Sequence, residues 1–125
     1  MSAGQKRILI AEDDASIVVS LEFLMREAGY EVCSVSDGAA ALREVATFRP
    51  DLILLDVMLP LRDGFQVCRE LRAAPGMAAL KIVMLTAKGG QAEVEKGISM
   101  GADLYVTKPF ATRDLLASVK TLLDG

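Results

Sequence analysis

Glu12, Asp13, Asp56, Thr86 and Lys108 are the side chains in this sequence whose types and neighbours point to chemistry. Each follows a short apolar run: "ILIA" before Glu12-Asp13, "LILL" before Asp56, "IVML" before Thr86, and "LYVT" before Lys108. Burying an unpaired carboxylate costs on the order of several kcal/mol. Either Asp56 stands at the end of its strand, where water or a cation can reach it, or the apolar run before it is not a strand. Two carboxylates about 4 Å apart repel by about 4 kcal/mol at an effective dielectric near 20, so Glu12, Asp13 and Asp56 need positive charge if they meet. Lys108 supplies one unit, and a divalent cation would supply two more. Hard carboxylate oxygens favour Mg2+, with Mn2+ as a substitute, over zinc. Mg2+ takes one or two carboxylates, waters and a phosphate oxygen. The set therefore suits phosphoryl transfer to Asp56, a carboxylate nucleophile. Lys108 would neutralise phosphoryl oxygens, the Thr86 hydroxyl would donate to one, and backbone N–H groups after the third strand would complete the cradle.

These residues can act together only if the fold brings their strands to one edge. Strand candidates are "RILIAE" (7–12), "YEVCSVS" (30–36), "DLILLD" (51–56), "LKIVMLT" (80–86) and "DLYVT" (103–107). Apolar runs without polar alternation are what a sheet covered on both faces requires. The second run alternates with Glu31, Ser34 and Ser36, which predicts an edge strand.

Between the strands, apolar residues recur at helical spacing. Ile17, Leu21, Leu24, Met25 and Ala28 form a stripe closed by Gly29, a helix-stop signal. Asp37 is placed to cap a second helix bearing Ala41, Leu42, Val45 and Ala46. Phe65, Val67, Cys68 and Leu71 mark a third, closed by "APG". Thr112 is the expected cap of the last, which carries Leu115, Leu116, Val119, Leu122 and Leu123. The fourth, "GGQAEVEKGISMGA", has glycines at 89, 90, 97 and 101 and a thin stripe of Val94, Ile98 and Met100. Each interior glycine costs roughly 1 kcal/mol against alanine, so this helix is expected to be the least stable element. Strict strand–helix alternation implies an α/β fold with an open, doubly wound parallel sheet and right-handed crossovers. Ligands in such sheets bind at the C-terminal strand ends, where the polar residues fall.

Composition narrows the alternatives. The chain is 52% hydrophobic but only 5% aromatic, and its 14 basic and 17 acidic residues give a net charge of −3. No clustered basic face marks a nucleic-acid footprint. The opening apolar run is too short for a signal peptide or a membrane span, so a soluble, cytoplasmic chain without membrane contact is expected. Cys33 and Cys68 read as buried small hydrophobes. The sequence has no histidine, which removes the commonest general base and metal ligand.

Taken together, "ILIAEDD", "DLILLDVMLPLRDG", "MLTAKG" and "GADLYVTKPF" closely resemble, in order and spacing, the receiver domain of two-component response regulators. The resemblance spans nearly the whole chain. It implies a flavodoxin-like (βα)5 sheet with strand order 2-1-3-4-5, an arrangement for which a chemotaxis member of this family is a standard example. It implies that Asp56 accepts a phosphoryl group from a sensor histidine kinase or a histidine phosphotransfer protein. Asp13 and Asp56 would hold Mg2+ with the backbone carbonyl of Met58, and Glu12 would act through a bound water. Thr86 and Lys108 match the switch hydroxyl and the phosphate-binding lysine. Tyr105 matches an aromatic that changes rotamer with the hydroxyl. Met58 and Lys88 stand where the family tunes attack by water on the phosphoryl group. The surface of the fourth helix, fifth strand and fifth helix would carry the signal to a downstream protein, with no direct nucleic-acid binding by this domain. Leu61, where the loop usually has glycine, and Leu104, where aspartate is usual, depart from the pattern.

Each residue also has a plainer reading. Asp14 is best explained as a helix-start acid, Met58 and Met100 as packing, and Tyr105 as a half-buried edge-strand aromatic. For Asp56, Thr86 and Lys108 the plain readings are reasonable singly and poor jointly. A phosphate-independent binding module of the same fold is the main rival. A carboxylate phosphohydrolase would carry a second aspartate where Met58 stands. We therefore expect a phosphoacceptor switch rather than an enzyme, one that assists its own phosphorylation and dephosphorylation. Residues 1–125 are expected to form one receiver domain without an output domain.

Overall fold

The aliphatic run at residues 52–56 becomes the buried centre of the molecule. In the computed structural model, which describes residues 4–87 and 90–124, every residue of strand β3 (Leu52–Asp56) is buried. It lies between β1 (Arg7–Ala11) and β4 (Lys81–Thr86), with β2 (Glu31–Val35) and β5 (Leu104–Thr107) at the edges. All pairings are parallel and the order is β2-β1-β3-β4-β5. The alternating strand is an edge strand, as its polar residues require.

Five helices cover the sheet: α1 (Ala15–Glu27), α2 (Gly38–Phe48), α3 (Gly64–Ala73), α4 (Gln91–Ser99) and α5 (Thr112–Asp124). Because side chains alternate across a strand, the core divides in two. Leu9, Ile53, Leu55, Ile82 and Met84 pack with Val45 of α2 and Val67, Cys68 and Leu71 of α3. Ile8, Ile10, Leu52, Leu54 and Val83 face the other way, toward Leu21 and Met25 of α1 and Leu115 and Val119 of α5. Cys68 is buried and Cys33 half-buried, and both are free thiols.

The helix starts are set by side-chain caps. Asp14 accepts from the Ser16 N–H at 3.0 Å and caps α1. Asp37 accepts from the Ala40 N–H at 2.7 Å and caps α2. Asp63 forms a reciprocal capping box with Gln66 at the start of α3. Thr112 differs from expectation. The first bond of α5 runs from the Leu115 N–H to the Ala111 carbonyl, so Ala111 holds the cap position and Thr112 lies in the first turn. The α4 stripe differs too. Ile98 is 48% exposed, and the sole buried residue of α4 is Gly97.

Leu61 adopts a positive φ of 70° with its side chain exposed. The left-handed region costs a residue with a Cβ about 1–2 kcal/mol, while glycine loses about 0.5–1 kcal/mol more chain entropy on folding. Leu61→Gly is therefore expected to raise stability by about 0.5–1 kcal/mol. This would be read as a higher urea midpoint at unchanged slope. A lower midpoint would mean that leucine side-chain contacts outweigh the backbone strain.

Candidate functional site

The polar residues converge where the parallel strands end. β1 stops at Ala11, and Glu12 extends its ladder by donating its N–H to the Val35 carbonyl at 3.1 Å. This turns the Glu12 side chain inward, where it is 1% exposed. Its Oε1 accepts from Lys108 Nζ at 2.7 Å and its Oε2 from the Asp14 N–H at 3.1 Å. Asp56, the last residue of β3, is also buried. Its Oδ1 accepts from the Met58 N–H at 3.2 Å, and its Oδ2 lies 3.4 Å from Lys108 Nζ. Asp13 is exposed, yet the three acids can present ligand oxygens all within 4.8 Å of one another. Thr86 ends β4, one residue beyond the Leu85 that pairs with Asp56, and is fully buried. The Lys108 N–H donates to the Thr86 carbonyl at 2.6 Å, ahead of a cis Lys108–Pro109 bond.

The charges do not balance. Burial pushes the Glu12 carboxyl up, its bonds from Lys108 and the Asp14 N–H pull it down, and the Asp56 charge raises it again; the outcome is upward. For Lys108, burial disfavours the ammonium, but the Glu12 hydrogen bond and the Asp56 charge outweigh it and leave its pKa raised. Among the described residues, one firmly held cation thus faces three acids. Unit charges at 4.8 Å repel by about 3.5 kcal/mol at an effective dielectric of 20. The donor set is all hard oxygen, with one acid open to solvent, and it fits a Mg2+-type cation. Glu12 and Asp56 each have both oxygens beside a donor, and Asp13 is the acid open to solvent.

The remaining expected residues fall into three groups. Tyr105 is half-buried on β5, beside Met84 in register, and its phenol is hydrogen-bonded to Thr86. The Met58 side chain points outward, 56% exposed. Lys88 lies outside the described residues.

Sequence reasoning missed the glycines that hold the loop after Asp56. A Cβ on Gly64 would sit 2.5 Å from the Asp56 carbonyl oxygen and 2.8 Å from the Val57 Cα, and one on Gly38 would run into the Arg62 backbone. The Gly38 N–H donates to the Pro60 carbonyl at 3.1 Å, and the Gly64 N–H to the Val57 carbonyl at 2.8 Å. Both glycines follow a capping aspartate, in "SDG" and "RDG". The signal was a repeated Asp-Gly pair: a cap followed by a first helical residue with no room for a side chain.

Comparison with known proteins bears on this geometry directly. The profile of the response regulator receiver domain matches residues 8–120. The chain belongs to that family. The receiver is 46% identical over 118 residues to the alkaline phosphatase synthesis transcriptional regulatory protein PhoP of Bacillus subtilis, covering 94% of this chain and 48% of the relative. It is 44% identical over 123 residues to the DNA-binding response regulator MtrA of Mycobacterium tuberculosis, covering 98% and 53%. The receiver thus spans about half the length of these relatives. A putative response regulator from Chloroflexus aurantiacus superposes with a TM-score of 0.91 at 36% identity, covering 97% of this chain and 99% of the other. The receiver domain of a sensor histidine kinase from Pseudomonas aeruginosa superposes with a TM-score of 0.88 at 32% identity, covering 98% and 100%. That structure has a magnesium ion coordinated in its active site cleft.

Proposed function

We propose that this receiver is switched by Mg2+-dependent transfer of a phosphoryl group from a phosphohistidine to Asp56. The observation that carries this reading is the meeting of Asp56 with Glu12, Asp13 and Lys108 at one sheet edge. An Asp56 carboxylate oxygen attacks phosphorus, the P–N bond breaks, and the imidazole leaves and takes a proton from water. Mg2+ held by Asp13 and Asp56, with the Met58 carbonyl and a water bridged to Glu12, would supply charge neutralisation at the phosphoryl oxygens. Lys108 shifts from Glu12 toward the new phosphoryl group. Thr86 donates its hydroxyl to a phosphoryl oxygen, which moves the hydrogen bond it shares with Tyr105. Positioning and charge stabilisation are what such a transfer requires of the protein. Acetyl phosphate with Mg2+ tests the reading: intact mass should rise by one phosphoryl group. No adduct on the folded wild-type chain sinks it.

The donor would be a sensor histidine kinase or a histidine phosphotransfer protein. A groove of about 540 Å³ beside Lys108, lined in part by Ser16, Ile17, Ser20, Pro109 and Phe110, opens next to the site. The exposed Val19 and Phe23 lie on the same helix. The output surface would be the face of α4, β5 and α5, read by a downstream protein. We take residues 1–125 as one receiver unit acting in the cytoplasm, with no direct nucleic-acid contact of its own. Among the described residues no helix is long and apolar enough to cross a membrane.

The phosphorylated state should be long-lived. The exposed Met58 offers no group to orient an attacking water, and Lys88 would shield the phosphoryl group. Met58→Asn is expected to speed loss of the phosphoryl group several-fold, measured as decay of the adduct after donor removal. An unchanged decay rate would contradict this role for Met58.

A further inference from the structure

Three features set α4 apart. Its sole buried residue is a glycine, Gly97. It starts at Gly90 with no side-chain cap. Just past its C-terminal end, Arg72 of α3 donates from Nε to the Gly101 carbonyl at 2.8 Å and pairs through its NH2 group with Asp103 at 2.7 Å. The Cys68 thiol of α3 reaches the Met100 carbonyl at 3.4 Å. The helix is thus anchored at its C-terminal end, and within it Lys96 lies over the Phe65 ring of α3 at 4.5 Å.

The space under its middle is filled from another element. A Cβ at position 97 would lie 2.5 Å from Tyr105 Cδ2, 2.8 Å from Tyr105 Cε2 and 3.3 Å from Met84 Sδ. The Tyr105 ring therefore occupies the place where a side chain of α4 would otherwise sit. From there its phenol meets Thr86. A hydroxyl can accept one hydrogen bond while donating another, so Thr86 can accept from Tyr105 and donate to a phosphoryl oxygen at once. The packed ring and the phosphorylated site then support each other.

We propose that Gly97 is a positioning residue, a socket whose missing side chain lets Tyr105 pack beneath α4 and so couples that helix to Asp56. The proposal rests on the phosphoacceptor reading above for its coupling half only. Gly97 substitutes directly for what an ordinary helix would bury. A methyl group there expels the ring and breaks the Tyr105–Thr86 hydrogen bond, while α4 stays anchored through Arg72 and gains helix propensity.

The test uses the full chain with Tyr30→Phe, which leaves Tyr105 as the single tyrosine, labelled with 3-fluorotyrosine. Fluorine NMR of the unliganded Gly97→Ala chain should show the ring moved from a packed to a solvent-exposed environment. Beryllofluoride with Mg2+, a phosphoryl mimic, should bind Gly97→Ala roughly fivefold or more weakly, the lower end of ordinary coupling between sites. Ser99→Ala, an exposed change that also favours helix, should move neither readout. In a Tyr105→Ala background, Gly97→Ala should cause no further loss of beryllofluoride affinity. A ring that stays packed in Gly97→Ala overturns the proposal, as does an equal shift in Ser99→Ala or a further loss in the Tyr105→Ala background. If Gly97→Ala does not fold, the double variant decides in the same direction. Folding restored by Tyr105→Ala means that the ring has no second position, and no restoration means that the glycine serves something else. Failure of wild type to bind beryllofluoride strikes the phosphoacceptor reading and the coupling half together. The ring resonance, which needs no ligand, still judges the socket.

Discussion

Asp56→Asn will take up no phosphoryl group from acetyl phosphate, and without divalent cation it will unfold at a higher temperature than wild type. The first outcome follows from chemistry: an amide oxygen is no nucleophile toward phosphorus, and no other described acid has the same setting. Asp13 is exposed, and Glu12 holds Lys108 in the shorter bond, 2.7 Å against 3.4 Å for Asp56. The second follows from the charge balance. Among the described residues, Asp56 is repelled by two carboxylates within 4.8 Å at about 3.5 kcal/mol each and attracted to Lys108 at 3.4 Å by about 5 kcal/mol, taking an effective dielectric of 20. The remainder, about 2 kcal/mol, opposes folding, and an amide removes it along with the cost of burying a charge. A gain of that size raises the midpoint by several degrees in a domain this large. Mass spectrometry and thermal unfolding in EDTA read the two outcomes. Equal phosphoryl uptake by wild type and variant would refute Asp56 as the acceptor, and a lower melting point would refute the strained acid cluster.

Withdrawing Mg2+ should stop phosphoryl uptake by wild type and lower its stability. A ligand that binds only the native state at 100 times its Kd stabilises by about 2.7 kcal/mol. Mg2+ additions should therefore raise the wild-type midpoint in steps that follow the logarithm of concentration. Asp13→Ala should lose most of that response and most of the uptake rate, because it removes the one acid of the three that is exposed. Mn2+ should restore both in wild type. Uptake that proceeds equally in EDTA would show that Lys108 alone neutralises the phosphoryl group.

Most of the sheet was legible because central strands are buried on both faces and cannot hide their composition. Leu52–Leu55 and Ile82–Leu85 are all buried, and uninterrupted apolar runs have few other uses. The acids, Thr86 and Lys108 were legible for a related reason: a charge or hydroxyl ending such a run has to be explained. Residues whose importance lies in empty space were harder to read. Gly97 looked like a weakness in a poor helix, and only the packed Tyr105 ring shows why a side chain is excluded. Gly38 and Gly64 went unread, because their contacts depend on a loop path that spacing does not reveal. Thr112 was misplaced because propensity favours threonine as a cap, whereas the first α5 bond already starts at Ala111.

The loop from Val57 to Asp63 is pinned at both helix starts, through Gly38 and Gly64, while Met58 and Leu61 project from it into solvent. Frame and display are thereby separated. The pinned backbone holds the Met58 N–H on Asp56 independently of the side chain at position 58, so on the role proposed for Met58, substitutions there should reset how long a signal lasts without rebuilding the acid cluster. A lineage would then adjust its signalling clock by single surface changes, leaving the transfer chemistry untouched.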